Sequence, residues 1–326
     1  MSMKITGKEN KQWSRLGARA TYGQAILMLA EQVDNLMVLS ADLGNSSGLD
    51  RFKSSYPDKF LNIGIAEQNM IGVAAGLAKE GNIIFASSFA PFISMRAAEQ
   101  VRMNMGYMKL NIKAVAIGSG VSMAFLGNSH FGLEDAAIMR SIPNMTVVNP
   151  ADCAEIVKTV FAAAKYPHPM YIRLTGAVGF PVVYEDDYEF EIGKAIEIRQ
   201  GSDVSIVATG SMVYESMEAA KILQDLGLSV SVLNIHTIKP IDTDALDILI
   251  KKDKPIFTIE EHSITGGLGS AVAEYVSSIP NSPTVNRIGL PDEFVITAEY
   301  RYILEKYGLV GTQIANSIQL KLNIKQ

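Results

Sequence analysis

Short apolar runs ending in small or turn residues recur along the first half of the chain: Val38-Leu39-Ser40, Ile83 to Ser88, Ala114 to Gly118, Met145 to Asn149 and Met170 to Leu174. Apolar positions at helical spacing separate them, as in Arg96 to Met105 and Ala154 to Lys165. Asp152, with Glu155 three residues on, is a capping-type start for the second of these helices. Strands alternating with helices predict a parallel sheet covered on both faces. After Gly176 the pattern lapses into VGFPVVYEDDYEFEIG, an acidic, Pro-containing stretch that reads as a linker. Alternation resumes at Asp203, with strands predicted at Val204 to Thr209, Ser229 to Ile235, Ile256 to Glu260 and Thr284 to Ile288. Helices are predicted at Tyr214 to Leu226, Ala245 to Lys251 and Leu268 to Ser278, with further helices at the C-terminal end. The expected fold is therefore α/β, with two doubly wound, mostly parallel sheet domains. The first spans residues 1–185, including the linker from about 177, and the second spans 186–326.

Asn62 to Gly81, NIGIAEQNMIGVAAGLAKEG, changes the picture from fold to chemistry. A strand-like approach leads into Glu67, and helical spacing then runs until Gly81 stops it. A carboxylate in a first helical turn complements the helix dipole and often simply faces water. Ile63, Ile65, Met70, Ile71 and Val73 around Glu67 argue instead for a buried helix end. A buried carboxyl holds its proton more tightly, which suits an acid that donates to a basic ring nitrogen.

The composition adds mainly exclusions. The chain has 326 residues, 48% hydrophobic and 19% charged, enough for two domains with a core each. A net charge of −5 with no Lys/Arg cluster gives nucleic acid no footing. No apolar run reaches membrane-spanning length without polar breaks. The polar start MSMKITGKENKQW has no signal-peptide core, so a cytoplasmic location is expected. Cys153 is the single cysteine, which removes an internal disulfide and a cysteine metal cluster, and the four histidines sit in unrelated contexts, so no metal site is expected on this chain.

Several further residues carry two readings each. Phe89 and Phe92, just after a strand, fit either the core or the stacking of a flat ring. His130, in GNSHFGLED, lies in a loop of the kind that lines the crevice at strand ends. Arg19 and Arg173 fit structural ion pairs or bidentate anion binding. GGLG at Gly266 to Gly269 opens a helix but lacks the Lys-Ser/Thr of a phosphate loop, so tight packing is the better reading. No Gly-Xaa-Ser-Xaa-Gly elbow is present, which argues against serine hydrolase chemistry.

In order, SADLGNS, NIGIAEQNMIGVAAGLA, SSFAPFISMRAAEQVR, SHFGLEDAAIMRSIPNMTVVNPAD and PMYIRLTG resemble the pyrimidine-binding domain of transketolases. DVSIVATGSMVYESMEAAKILQDLGLSVSVLNIHTIKPID and EEHSITGGLGSA resemble the family's C-terminal domain, so that the likeness covers roughly residues 12 to 320. The resemblance implies the C-terminal subunit of a split transketolase, with thiamine diphosphate as cofactor. The Gly-Asp-Gly segment that would hold Mg2+ (or Ca2+) and the diphosphate is absent here and would sit on an N-terminal partner subunit, two of each chain forming a heterotetramer. The same resemblance gives Glu67 the contact to N1′ of the aminopyrimidine, Phe89 the ring stack with Phe92 beside it, and Asp42 a place near the thiazolium. It implies that His130 meets the reacting end of the donor, and that Arg19, Ser46 and Arg173 bind the distal end of the sugar.

Two departures from the family pattern stand out. Ala124-Phe125-Leu126-Gly127 occupies the place of an acidic segment that reads sugar hydroxyls, with Leu126 at the acid's position. A further upstream histidine is replaced in the region of Gly118 and Ser119. The resemblance implies transfer of a two-carbon ketol unit from a ketose to an aldose, and the Leu126 departure points to a modified ketose. The alternatives within the superfamily are a 1-deoxyxylulose-5-phosphate-synthase-like carboligase and a 2-oxoacid dehydrogenase β subunit. A non-catalytic regulatory homologue is the alternative of another class.

Overall fold

The computed structural model describes residues 4–323. Its first half runs α1 (Gly7–Ala30), β1 (Leu36–Ser40), α2 (Asp50–Ser55), β2 (Phe60–Asn62), α3 (Glu67–Lys79), β3 (Ile83–Phe89), the single turn α4 (Ala98–Gln100), β4 (Ile112–Ile117), α5 (Asp135–Ser141), β5 (Thr146–Val148), α6 (Cys153–Lys165) and β6 (Met170–Leu174). The second half runs β7 (Ile196–Arg199), β8 (Val204–Ala208), α7 (Met212–Asp225), β9 (Val230–Asn234), β10 (Thr237–Lys239), α8 (Thr243–Lys251), β11 (Ile256–Ser263), α9 (Leu268–Ser277), β12 (Val285–Leu290), α10 (Tyr300–Lys306) and α11 (Gly311–Lys321).

Seven strands form one sheet in the order β10-β5-β6-β4-β3-β1-β2, and five form another in the order β12-β11-β8-β9-β7. Pairing is parallel except for β10 on β5 and β7 on β9. Both sheets are thus mostly parallel, as the alternation predicts. Parallel strands covered by helices on both faces read as continuous apolar runs, and β4 and β6 are buried along their whole length.

Four features differ from the expectation. β10 comes from the second half of the chain yet completes the first sheet, and β7 lies in a stretch that the alternation leaves unassigned. The N-terminal polar stretch, whose first three residues lie outside the described ones, opens the first of two helical segments that α1 joins across a kink at Gly17, where φ is 81°. Its signal was available: Thr6 accepts from the Glu9 amide, and Glu9 accepts in return from Thr6 N, a reciprocal cap. The predicted helix from Arg96 is wound more loosely than an α-helix. Phe92–Arg96 and Val101–Tyr107 are π-helical, with Ala97 N bonding Phe92 O at 3.2 Å and Met108 N bonding Met103 O at 3.0 Å. Each wide turn adds a residue and re-aims the side chains after it.

Asp152 caps α6 as predicted, accepting from Glu155 N at 2.9 Å. Its other oxygen accepts from Asn10, Val183 and Tyr184, which ties α1 and the linker to α6. Glu155 continues the joint into the second sheet, where Asn234 of β9 donates to it at 3.0 Å. Burial pushes the Glu155 carboxyl up to about 8, with Asp152 close by adding to the rise. Among the described residues, no helix is long and apolar enough to cross a membrane.

Candidate functional site

Chain order reverses between β1 and β3: β2 adds on one side of β1 and β3 on the other. Crevices beyond the carboxyl ends of strands at such a switch point are where open α/β sheets bind ligands. The loops after β1, β2, β3 and β4 carry Asp42, Glu67, Phe92 and His130, respectively.

Glu67 opens α3 and is 1% exposed, so the burial expected from its neighbours is present. Its oxygens do not face apolar groups alone. Ser88 Oγ donates to Oε1 at 3.0 Å and Arg96 Nη1 to Oε2 at 2.8 Å. Arg96, which sequence reasoning passed over as part of a helix, has its side chain 47% exposed and lays its guanidinium 4.1 Å from the centre of the Phe92 ring. The π-turn ending at Arg96 aims it there.

Phe89, Phe92 and His130 meet edge to face. The centroids of Phe89 and Phe92 are 5.7 Å apart, and His130 lies 5.3 Å from each. Glu67, Arg96, Phe92, Phe89 and His130 therefore form one contiguous line. Asp42 sits with φ 58°, a backbone state that a non-glycine residue adopts only when held. Asn62 holds it: Asp42 N donates to Asn62 Oδ1 at 3.0 Å, and Asn62 Nδ2 donates to Asp42 Oδ1 at 2.9 Å. Gly64 N also donates to Asn62, so the same side chain fixes the approach to Glu67.

Arg19 and Ser46 line a cavity of about 480 Å³ with Asn45, Ser122, Met123 and Val178. A close backbone approach brings the first two together: a Cβ on Gly23 of α1 would lie 1.9 Å from Gly48 O. Only glycine lets α1 and the loop after β1 touch there. A Cβ on Gly118, whose φ is 71°, would lie 2.4 Å from Met123 Sδ and 3.7 Å from Phe89. Met123 thus fills the space beside position 118 and joins the cavity to the aromatic cluster. Leu126 is 49% exposed and Phe125 73% exposed, on the short turn that leads to His130.

Arg173 must be corrected. The resemblance implies a sugar-binding arginine, but this side chain is 0% exposed and directed inward. Nε donates to both oxygens of Asp135, at 2.9 and 3.0 Å, and Nη2 donates to Gly132 O and Glu261 O at 2.8 Å each. A buried guanidinium held in this way is part of an interior ion pair. GGLG also proves internal. Leu268 N and Gly269 N, at the start of α9, donate to the Glu260 carboxylate at 2.7 and 2.8 Å, where a phosphate would otherwise sit.

Residues 15–177 match the transketolase pyrimidine binding domain and residues 193–314 the transketolase C-terminal domain. The chain belongs to the transketolase family. It is 43% identical over 305 residues to a putative transketolase C-terminal section of Methanocaldococcus jannaschii, covering 93% of this chain and 95% of that one. It is 39% identical over 300 residues to a 6-deoxy-6-sulfo-D-fructose transketolase subunit of Clostridium sp., covering 92% of each. A solved split gene transketolase, described as an inactive β4 tetramer, superposes with a TM-score of 0.84 at 40% identity, over 95% of this chain and 99% of that one. Like these relatives, this transketolase-family chain is of subunit size, carrying the pyrimidine-binding and C-terminal domains.

Proposed function

We propose that the chain is the C-terminal subunit of a two-subunit transketolase that moves a two-carbon ketol unit from a modified ketose to an aldose. The observation that carries this reading is the continuous line from the buried Glu67 carboxylate through Phe92, Phe89 and His130 toward the Arg19–Ser46 cavity, beyond the sheet's carboxyl ends. A carboxylate offers about four lone-pair positions, so Ser88 and Arg96 leave Glu67 able to accept a further N–H. Its burial beside two aromatic rings fits the aminopyrimidine of thiamine diphosphate, with Phe89 and Phe92 offering ring contact and Asp42 close to the same crevice. Thiamine diphosphate supplies, when bound, the carbon nucleophile that ketol transfer requires. Glu67 would hold the proton at N1′, His130 would meet the reacting end of the donor, and Arg19 with Ser46 would take its distal anionic group. Mg2+ and the diphosphate would be held by an N-terminal partner, in a heterotetramer. The β4 relative named as inactive supports the need for such a partner.

The substrate preference rests on Leu126 and Met123. Met123 lines the cavity and accepts no hydrogen bond of ordinary strength. Leu126 is half-exposed in this chain, so a sugar hydroxyl would be unpaired there only once substrate and partner cover it, at a cost of about 1–3 kcal/mol. That is roughly a tenfold to hundredfold handicap in kcat/KM for ordinary sugar phosphates. A deoxygenated, sulfonated or otherwise substituted ketose avoids it, and the sulfo-sugar relative supports this class. The test has two arms. Calorimetry should find thiamine diphosphate binding only when the partner is present, and tight magnesium-dependent binding to this chain alone would refute the split site. Kinetics of the assembled enzyme should favour deoxy or sulfo ketoses over the unmodified sugar phosphate, with Leu126→Asp reversing the order. A wild type that prefers the unmodified sugar, with no gain from the added carboxylate, would remove Leu126 from specificity.

A further inference from the structure

Residues 118–133 carry Met123, Leu126 and His130, and they are held from both halves of the chain. Gly120 and Gly132 pinch the base of this segment through a two-way backbone bridge, with N···O distances of 2.9 and 3.0 Å. From the first half, Leu174 O accepts from Ser119 N at 2.9 Å, and Arg173 Nη2 donates to Gly132 O at 2.8 Å. From the second half, Ser263 N donates to Leu133 O at 2.9 Å and Asn128 donates to Val295 O at 2.8 Å.

The deepest of these ties is Glu261, on β11 and fully buried. Its Oε1 accepts from Val121 N at 2.7 Å. Its Oε2 accepts from Tyr300 Oη at 2.8 Å and from Ser211 Oγ. One carboxylate thus takes a backbone N–H of the site loop and the hydroxyls that open α10 and precede α7. Gly120 makes the approach possible: a Cβ there would lie 2.1 Å from Glu261 Oε1, and its φ of 67° also favours glycine. Burial raises the Glu261 carboxyl, while Ser211, Tyr300, Arg173 and the Val121 N–H favour the ionised form.

We infer that Glu261 is a positioning residue, through which the C-terminal domain sets the place of the loop that presents Met123, Leu126 and His130. A carboxylate bonded to three donors from three elements fixes their relative positions, and the loop has no charged side-chain tether of its own at this point. The kinetic consequence rests on the transferase reading above; the tethering of the loop does not. Reorientation of α7 or α10 would reach Val121, and with it the loop of His130, through this side chain.

The experiment uses the full chain and its assembled holoenzyme. Amide hydrogen exchange is followed across the chain in wild type, Glu261→Ala, Glu261→Gln, Tyr300→Phe and Asn128→Ala. Glu261→Ala should speed exchange within 118–133 by about tenfold or more, with β1, β3, β4 and β6 unchanged. Glu261→Gln should restore protection, because its oxygen can accept from Val121 N while its NH2 donates to the hydroxyls of Ser211 and Tyr300. Tyr300→Phe and Asn128→Ala, each removing one tie, should give smaller rises confined to the same loop. In the assembled enzyme Glu261→Ala should change KM and kcat for the donor, with calorimetric cofactor affinity kept and Glu261→Gln rescuing turnover. Unchanged loop exchange in Glu261→Ala, or a uniform rise over the whole chain, would overturn the tether. If Glu261→Ala fails to fold, Tyr300→Phe decides, because that hydroxyl donates to Glu261, and no change in exchange within 118–133 overturns the tether. Loop loosening with unchanged kinetics would leave the tether standing and sink the positioning role.

Discussion

Replacing Arg173 by Met separates the two roles that this position can have. Methionine keeps much of the volume and removes the charge, so Asp135 would stay fully buried with Tyr171 Oη, at 3.0 Å, as its remaining close donor, and His262 Nε2 at 3.8 Å. Breaking a buried ion pair from one side costs about 3–5 kcal/mol, because an uncompensated charge remains inside. Glu261 O and Gly132 O each lose the Arg173 donor as well, Gly132 O keeping Gly120 N, so a loss within that range is expected. Against a total stability of about 5–15 kcal/mol, the loss is large. Replacing Asp135 by Leu in the same chain should restore most of it, since an apolar pair of similar volume is often as stable as the ion pair. The assay is urea unfolding followed by circular dichroism and by the fluorescence of the single tryptophan, Trp13, which packs in the core of the first sheet's layer. Coincident transitions would license the free energies. A variant as stable as wild type within about 0.5 kcal/mol, with KM raised for anionic donors, would refute the interior placement and return Arg173 to the substrate.

Other expectations follow from the same geometry. Glu67→Gln should cut kcat by about 10²–10⁴ with little effect on folding, and it should slow hydrogen–deuterium exchange at the acidic carbon of the bound cofactor; an unchanged exchange rate removes Glu67 from that step. His262 and His236 are buried and pushed down to about 4, by desolvation first, and Arg173 adds to the shift of His262. Their folded values lie below the unfolded 6.5, so their contribution is complete above that pH and is lost as pH falls toward 4. At pH 5 each should cost about 2 kcal/mol, and urea midpoints at pH 7.5 and 5 should show a drop that is smaller by that amount in His262→Gln. Glu260→Ala, which removes the acceptor of Leu268 N and Gly269 N, should lower stability by about 2–3 kcal/mol and speed amide exchange at the start of α9; unchanged exchange there would reject the cap.

Much of this protein is local, and what is local is legible in the sequence. Apolar runs of three to six residues mark β1, β3, β4 and β6, because strands covered on both faces are mostly apolar; Lys113 and Arg173, buried in β4 and β6, are the charged exceptions. Asp152 with Glu155 announces α6, since a cap needs only residues three apart. Glu67 beside apolar neighbours announces a buried helix start. What tertiary structure decided was where charges and edges meet. β10 joins the first sheet and β7 pairs antiparallel because each covers an exposed edge, and no pattern within three or four residues says which edge is free. Arg96 reaches Glu67 only because a π-turn shifts it by one residue. Arg173 is held inside by Asp135 and by two carbonyls 41 and 88 positions away, so its sequence surroundings carry no trace of its fate. The Glu261 tie to Val121 spans 140 positions and depends on a missing Cβ at Gly120. Side-chain periodicity decides elements over a few residues, whereas buried polar groups must find partners wherever the fold brings them, and only the folded chain fixes those partners.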